Sequence, residues 1–264
     1  MSNVFWQFSI EHYELALWSG VLISLLVVLV MKTSLKFLVV ATMLATLVLI
    51  SLGAYVRLAD AGLGCPDWPG CYGKLTPIQA QNEISKAQAE NPNGPVTFYK
   101  AWTEMVHRYL ASIVGVMILA ILLKHLPLSI FKHDTPSHEK GIILPAILFV
   151  AVVFQGMLGK WTVTMLLKPV IVTLHLAGGM FILGCLAFMS GRYLSLSPVI
   201  MTSFRKRINF LVWITIGIVF FQIMLGGWVS TNYAALVCAD LPLCQGMVFP
   251  PMDFTEGFNI FRAL

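Results

Sequence analysis

The chain has 264 residues, 58% of them hydrophobic and only 11% charged, with a mean hydropathy of +0.83. A soluble domain carries about a quarter charged residues, so this composition excludes an ordinary soluble fold and specifies a polytopic membrane protein. The net charge of +5 is spread along the chain, which offers no patch for nucleic acid and leaves membrane lipid as the expected surrounding.

Six apolar runs are long enough to span a bilayer at roughly 20 residues each: residues 15–31, 37–56, 102–123, 142–163, 169–190 and 208–229. Lys32 and Lys36 separate the first two. Lys124, Lys132 and Lys140 follow the third, and Arg192, Arg205, Lys206 and Arg207 follow the fifth. The positive-inside rule puts these linkers in the cytoplasm. The opposite loops hold Asp60, Asp67, Glu83, Glu90, Asp240, Asp253 and Glu256, and the N-terminus holds Glu11 and Glu14 without Lys or Arg. The expected topology is therefore N-terminus outside, with residues 15–31 a retained helix, since no basic leader or small-residue cleavage site accompanies them. No Arg-rich transit segment is present, which favours a bacterial inner membrane.

An internal repeat organises the chain. Leu52-Gly-Ala-Tyr-Val-Arg-Leu-Ala-Asp-Ala-Gly-Leu-Gly-Cys65-Pro-Asp-Trp-Pro-Gly-Cys71-Tyr-Gly realigns without a gap on Leu225-Gly-Gly-Trp-Val-Ser-Thr-Asn-Tyr-Ala-Ala-Leu-Val-Cys238-Ala-Asp-Leu-Pro-Leu-Cys244-Gln-Gly. Cys65 to Cys238 and Cys71 to Cys244 share one offset of 173 residues. The repeat predicts an all-α fold of duplicated four-helix bundles, the second copy incomplete, with an extra N-terminal transmembrane helix. The expected units are 1–36 for that helix, 37–191 for the first bundle, and 192–264 for one helix and one outer loop of the second. A shorter echo, Phe154-Gln-Gly-Met-Leu-Gly-Lys-Trp161 on Phe221-Gln-Ile-Met-Leu-Gly-Gly-Trp228, reads as a shared membrane-exit motif, with Gly for close packing and Trp for the interface.

His107 and His175 enter apolar spans from the same side, about five and six residues deep, or roughly 7–9 Å at 1.5 Å per residue. Ionisable side chains at such depth are costly and point to function. Two imidazoles at equal depth are the usual means of holding a heme iron between helices. Ala111 and Gly115 below His107, with Gly178 and Gly179 below His175, would leave room for a flat macrocycle. Arg57, Arg108, Lys160 or Lys168 could neutralise its propionates. His125, His133 and His138 lie in or beside an inside loop and read as solvated; His12 lies near the outer terminus.

Glu104 precedes His107 by one helical turn. It is either the ion-pair partner of Arg108 or an acid/base carboxylate beside the heme edge. Cys65 with Cys71 and Cys238 with Cys244 are either structural disulfides in outer loops or redox-active pairs. Cys185 reads as a packing residue. The polar stretch 74–100 reads as a mobile outer loop with room for one short amphipathic helix.

The cysteine-loop motif, Glu104-Met-Val-His107-Arg108 and His175 together resemble the heme A synthase family over residues 37–264. The resemblance implies an eight-helix protein of two pseudo-symmetric halves, each with a histidine pair. One half would hold heme b as cofactor, and the other would take heme O, whose ring methyl is oxidised by successive hydroxylations to the formyl of heme A. It implies Glu104 as the essential carboxylate, His107 and His175 as iron ligands, and Cys65–Cys71 as a disulfide. It further implies association with heme O synthase (protoheme farnesyltransferase) and with cytochrome oxidase assembly. The helices expected to carry the second histidine pair would fall near about 280 and 348 by the repeat offset, past Leu264, and residues 15–31 are extra to the family's eight spans. The electron donor and any homo-oligomer are left open. Two other classes compete: a non-catalytic bis-histidine membrane cytochrome or heme carrier, which needs the histidines but not Glu104, and a thiol oxidoreductase built on the outer cysteines.

Overall fold

The computed structural model describes residues 32–126, 141–194, 202–234, 237, 238, 240 and 242–260, with residues 202–206 as backbone alone. The expected helix over 15–31 and the readings of His12, His133 and His138 lie outside these residues.

Among the described residues seven helices follow one another: α1 (Leu35–Leu58), α2 (Gln81–Glu90), α3 (Phe98–His125), α4 (Ile143–Thr164), α5 (Pro169–Tyr193), α6 (Thr202–Thr231) and α7 (Phe254–Gly257). Five of them, all but α2 and α7, are long and apolar enough to cross a membrane. No strand occurs among the described residues, only isolated bridges within the two cysteine loops. The chain is an all-α, multi-pass membrane protein.

Local chemistry sets the helix starts. The Ser34 hydroxyl accepts the Phe37 N–H at 3.4 Å and caps α1. The Thr97 hydroxyl accepts the Lys100 N–H at 3.2 Å and starts α3 at Phe98, four residues before the apolar run at Trp102. Pro169 opens α5, where a missing N–H has no cost.

Packing closes a ring. α1 contacts α3 and α5, and α4 contacts the same two, while α6 lies against α5. The helices α3 and α5 therefore stand diagonally across the bundle. One core, with Leu38, Val114, Ile118, Leu148, Ile182 and Leu186, fills the end where α3 finishes. A second cluster, with Cys65, Cys71, Ile84, Ala101 and Met105, seals the opposite end. The second cluster corrects the reading of 74–100 as mobile: α2 buries Ile84 against the cysteines, which anchors the segment.

His125 is a second correction. It is buried at the far end of α3, with Nδ1 2.7 Å from the Ile121 carbonyl and Nε2 3.0 Å from the Tyr193 hydroxyl. The turn of helix next to Lys124 faces α5 rather than water, so the imidazole is a satisfied interior group.

The duplicated loops adopt one conformation. Asp67 accepts the N–H groups of Tyr72 and Gly73 at 2.6 and 2.7 Å, and Asp240 those of Gln245 and Gly246 at 2.8 and 2.7 Å. Both turns end on a left-handed pair, Tyr72 and Gly73 in one, Gln245 and Gly246 in the other. Disulfides Cys65–Cys71 and Cys238–Cys244 close them. The repeats also meet at equivalent positions. Arg57 donates to the Ser230 carbonyl at 2.6 Å, and Tyr233 donates to Asp60 at 2.8 Å; both pairs are separated by the repeat offset of 173.

The two N–H donors on Asp240 favour its charged form and hold its carboxyl below the usual aspartate range. The turn's stabilisation is therefore complete above the ordinary aspartate value and disappears as pH falls through the depressed one. A carboxyl-carbon NMR titration of Asp240 should give a midpoint below that of a solvated aspartate; an ordinary midpoint would contradict this cap.

Candidate functional site

The diagonal pair α3 and α5 carries the two membrane histidines. The Nδ1 of His107 and that of His175 are each buried without a hydrogen-bond partner. Their layer lies between the two packed clusters, where the ring of helices contributes glycine rather than aliphatic bulk. On α1, a Cβ added to Gly53 would sit 2.9 Å from His107 Cε1. On α4, one added to Gly159 would sit 3.4 Å from His175 Cε1. Each imidazole thus rests against a glycine of a flanking helix.

These features fit a heme, which His107 and His175 would hold. Among the described residues, no three His, Cys, Asp or Glu side chains converge to hold a bare metal ion. Two buried imidazoles on different helices would suit an iron that brings further ligands of its own. The unpartnered Nδ1 atoms mark both rings as groups whose polar capacity is not spent within the protein. Beside Gly115 an added Cβ meets nothing within 4 Å, whereas Gly178 and Gly179 face Gln155 and Ile50. The room expected beneath His175 is therefore occupied by side chains, which corrects that part of the sequence reading.

Glu104 lies one turn before His107, buried at 4% exposure. Its Oε2 accepts the Cys65 N–H at 2.9 Å, and its Oε1 pairs with the Arg108 guanidinium. Arg108 Nη1 reaches on to the carbonyls of Asp67 at 2.8 Å, Gly70 at 2.5 Å and Pro69 at 3.3 Å. Carboxylate and guanidinium together grip both ends of the ring closed by Cys65 and Cys71. The loop is seated as closely as backbone allows: a Cβ at Gly64 would lie 2.5 Å from the Lys100 carbonyl carbon and 2.7 Å from the Ala101 nitrogen.

Arg57 is equally committed. Besides Ser230 it donates to the Tyr233 hydroxyl at 3.0 Å and stacks over that ring at 4.2 Å. Asp60, beside Tyr233, also pairs with Lys100 at 3.6 Å. A cleft of about 260 Å³ at this end is lined by Asp60, Leu63, Lys100, Leu167 and Tyr233 and does not include the histidines. The structure thus brings together Glu104, Arg108, His107 and Cys65–Cys71 around α3, with His175 opposite. It sets Arg57 apart at the contact between repeats and Cys238–Cys244 on the second loop.

Similarity to known proteins bears on this arrangement. Residues 36–264 match the family described as cytochrome oxidase assembly protein. The chain belongs to that family. It is 39% identical to a heme A synthase of Shewanella oneidensis over 84% of its own length and 64% of that protein's. It is 26% identical to heme A synthases of Alkalihalophilus pseudofirmus, over 89% of the chain and 72% of the relative, and of Shouchella clausii, over 87% and 70%. The chain therefore spans less than two thirds of the first of these relatives. No solved structure matches it.

Sequence reasoning passed over Gln155 and Gly159. Both stand in the motif read as a membrane exit, and the signal was the spacing: four residues apart, they share a helix face that meets His175.

Glu104→Ala removes one partner of a buried ion pair and frees the Cys65 N–H. Such losses cost about 3–5 kcal/mol, so the denaturation midpoint in detergent should fall steeply. Gly64→Ala forces the loop off α3 and should cost about 1–3 kcal/mol. At Gly184, where an added Cβ meets nothing within 4 Å, the same substitution should be close to neutral.

Proposed function

We propose that this chain holds a heme between His107 and His175 and acts in the conversion of heme O to heme A during cytochrome oxidase biogenesis. The observation that carries the reading is the diagonal placement of the two histidines, each backed by a glycine, in a layer between two packed cores. The family match and the heme A synthase relatives supply the reaction class. Residues 37–191 are read as the heme-binding unit, and heme b is assigned to a second histidine pair of the kind the relatives' additional length would accommodate.

In this reading the porphyrin iron supplies the oxidative chemistry when bound. His107 and His175 would hold that iron. Glu104 keeps a carboxyl group one turn from His107, its position fixed by Arg108 and the Cys65 N–H. It is assigned the proton-handling or charge-stabilising role at the heme edge. Arg57 and Arg108 would supply positive charge to the propionates while keeping their contacts to Ser230 and to the disulfide loop. The disulfide loop excludes water from the ligand layer by packing Cys65, Cys71 and Met105 over it.

The distribution of Lys and Arg, together with two disulfides, supports an inner-membrane location with the cysteine loops on the periplasmic side. Heme O synthase is the partner that would deliver the substrate.

One observation favours the non-catalytic cytochrome reading: both Glu104 oxygens are already engaged. Two experiments separate the readings. Protein purified from heme-replete cells should be pigmented, and acid extraction should yield heme O or heme A; a colourless, correctly inserted protein would end the heme assignment. Glu104→Gln should keep its heme yet lose about a hundredfold or more in heme A formation, the range for general acid–base catalysis. Unchanged formation would leave a cytochrome or carrier.

A further inference from the structure

Gln155 reaches from α4 across to α5, where its Nε2 donates to the His175 carbonyl at 2.6 Å. Its Oε1 is buried without a donor. An unsatisfied buried carboxamide oxygen is unfavourable by about 1–3 kcal/mol, so general helix adhesion does not account for this side chain. A hydrophobic residue of similar size would pack without that cost. The carboxamide is turned toward one acceptor, the main chain of the histidine.

The surroundings are built to admit it. A Cβ at Gly178 would collide with Gln155 Oε1, and one at Gly179 would lie 3.5 Å from its Nε2. Both glycines belong to the turn that follows His175. One turn along α4 from Gln155, Gly159 lies against the His175 ring, 3.4 Å from an added Cβ to Cε1. A single face of α4 therefore touches His175 twice, with a hydrogen bond on its backbone and a close-packed glycine at its ring.

We propose that Gln155 is the positioning residue for His175, pinning to α4 the turn of α5 that carries its ring, and that Gly178 is present to seat the carboxamide. The proposal rests on the heme reading for its purpose but not for its geometry. Its test therefore has a readout that does not require heme.

The full chain in detergent is treated with diethylpyrocarbonate, and carbethoxylation of His175 is measured relative to His107 by peptide mass spectrometry. In Gln155→Leu the ratio should rise about fivefold, the factor one net hydrogen bond carries. Gly178→Ala, which displaces the carboxamide and favours helix, should shift it in the same direction. Where heme is bound, Gln155→Leu should retain it at unchanged stoichiometry while the largest g value of the ferric low-spin signal moves. An unchanged modification ratio in both variants overturns the proposal. A raised ratio in protein that binds no heme upholds Gln155 and instead overturns the heme reading.

Discussion

The buried pair of Glu104 and Arg108 is the interaction on which the disulfide-closed end of this bundle depends. Two opposite charges taken out of water are stabilised only when their remaining hydrogen-bonding capacity is met. Here the disulfide ring meets it, by presenting the Cys65 N–H to the carboxylate and three carbonyls to the guanidinium. The loop needs the ion pair to be anchored, and the ion pair needs the loop to be tolerable at that depth. Since His107 follows Glu104 by three residues on the same helix, anchoring the loop also fixes the turn that carries an imidazole.

Much of this was legible in the sequence because hydrophobic length and charge asymmetry are strong signals in a membrane. The five spans among the described residues and the repeat followed from length and spacing, and the Glu104–Arg108 pair is one of the two readings that spacing left open for Glu104. What was not legible came from contacts between segments distant in sequence. Lys74–Lys100 has the polar composition of a loose connection, and nothing local reveals that Ile84 would find the disulfide. His125 sits at the edge of a basic linker, yet Tyr193, 68 residues on, takes it into the interior. Gly178 looks like space for a ligand until a glutamine from the neighbouring helix fills it.

Membership of the cytochrome oxidase assembly protein family and the ring of α1, α3, α4 and α5 support each other. A fold of this kind carries function only through its site. The site proposed here is a layer in which diagonal helices offer imidazoles and flanking helices offer glycine. The arrangement divides labour within the bundle: aliphatic packing at one end holds the helices together, the disulfide cluster closes the other, and the interval between is relieved of packing duty.

The contact between repeats has an evolutionary corollary. At a two-fold axis each residue faces its own copy, and positions 57 and 60 meet 230 and 233 in that way. Arg57 also reaches Tyr233, the counterpart of Asp60, so two identical copies would set each guanidinium against the other copy's carboxylate as well as against its own kind. Fusing the copies into one polypeptide lets them diverge, so that a guanidinium now meets a serine's backbone oxygen and a carboxylate meets a phenol. Tandem joining thus gives the seam a direction, with the charge at these four positions all on the first repeat, an asymmetry that no pair of identical chains could hold.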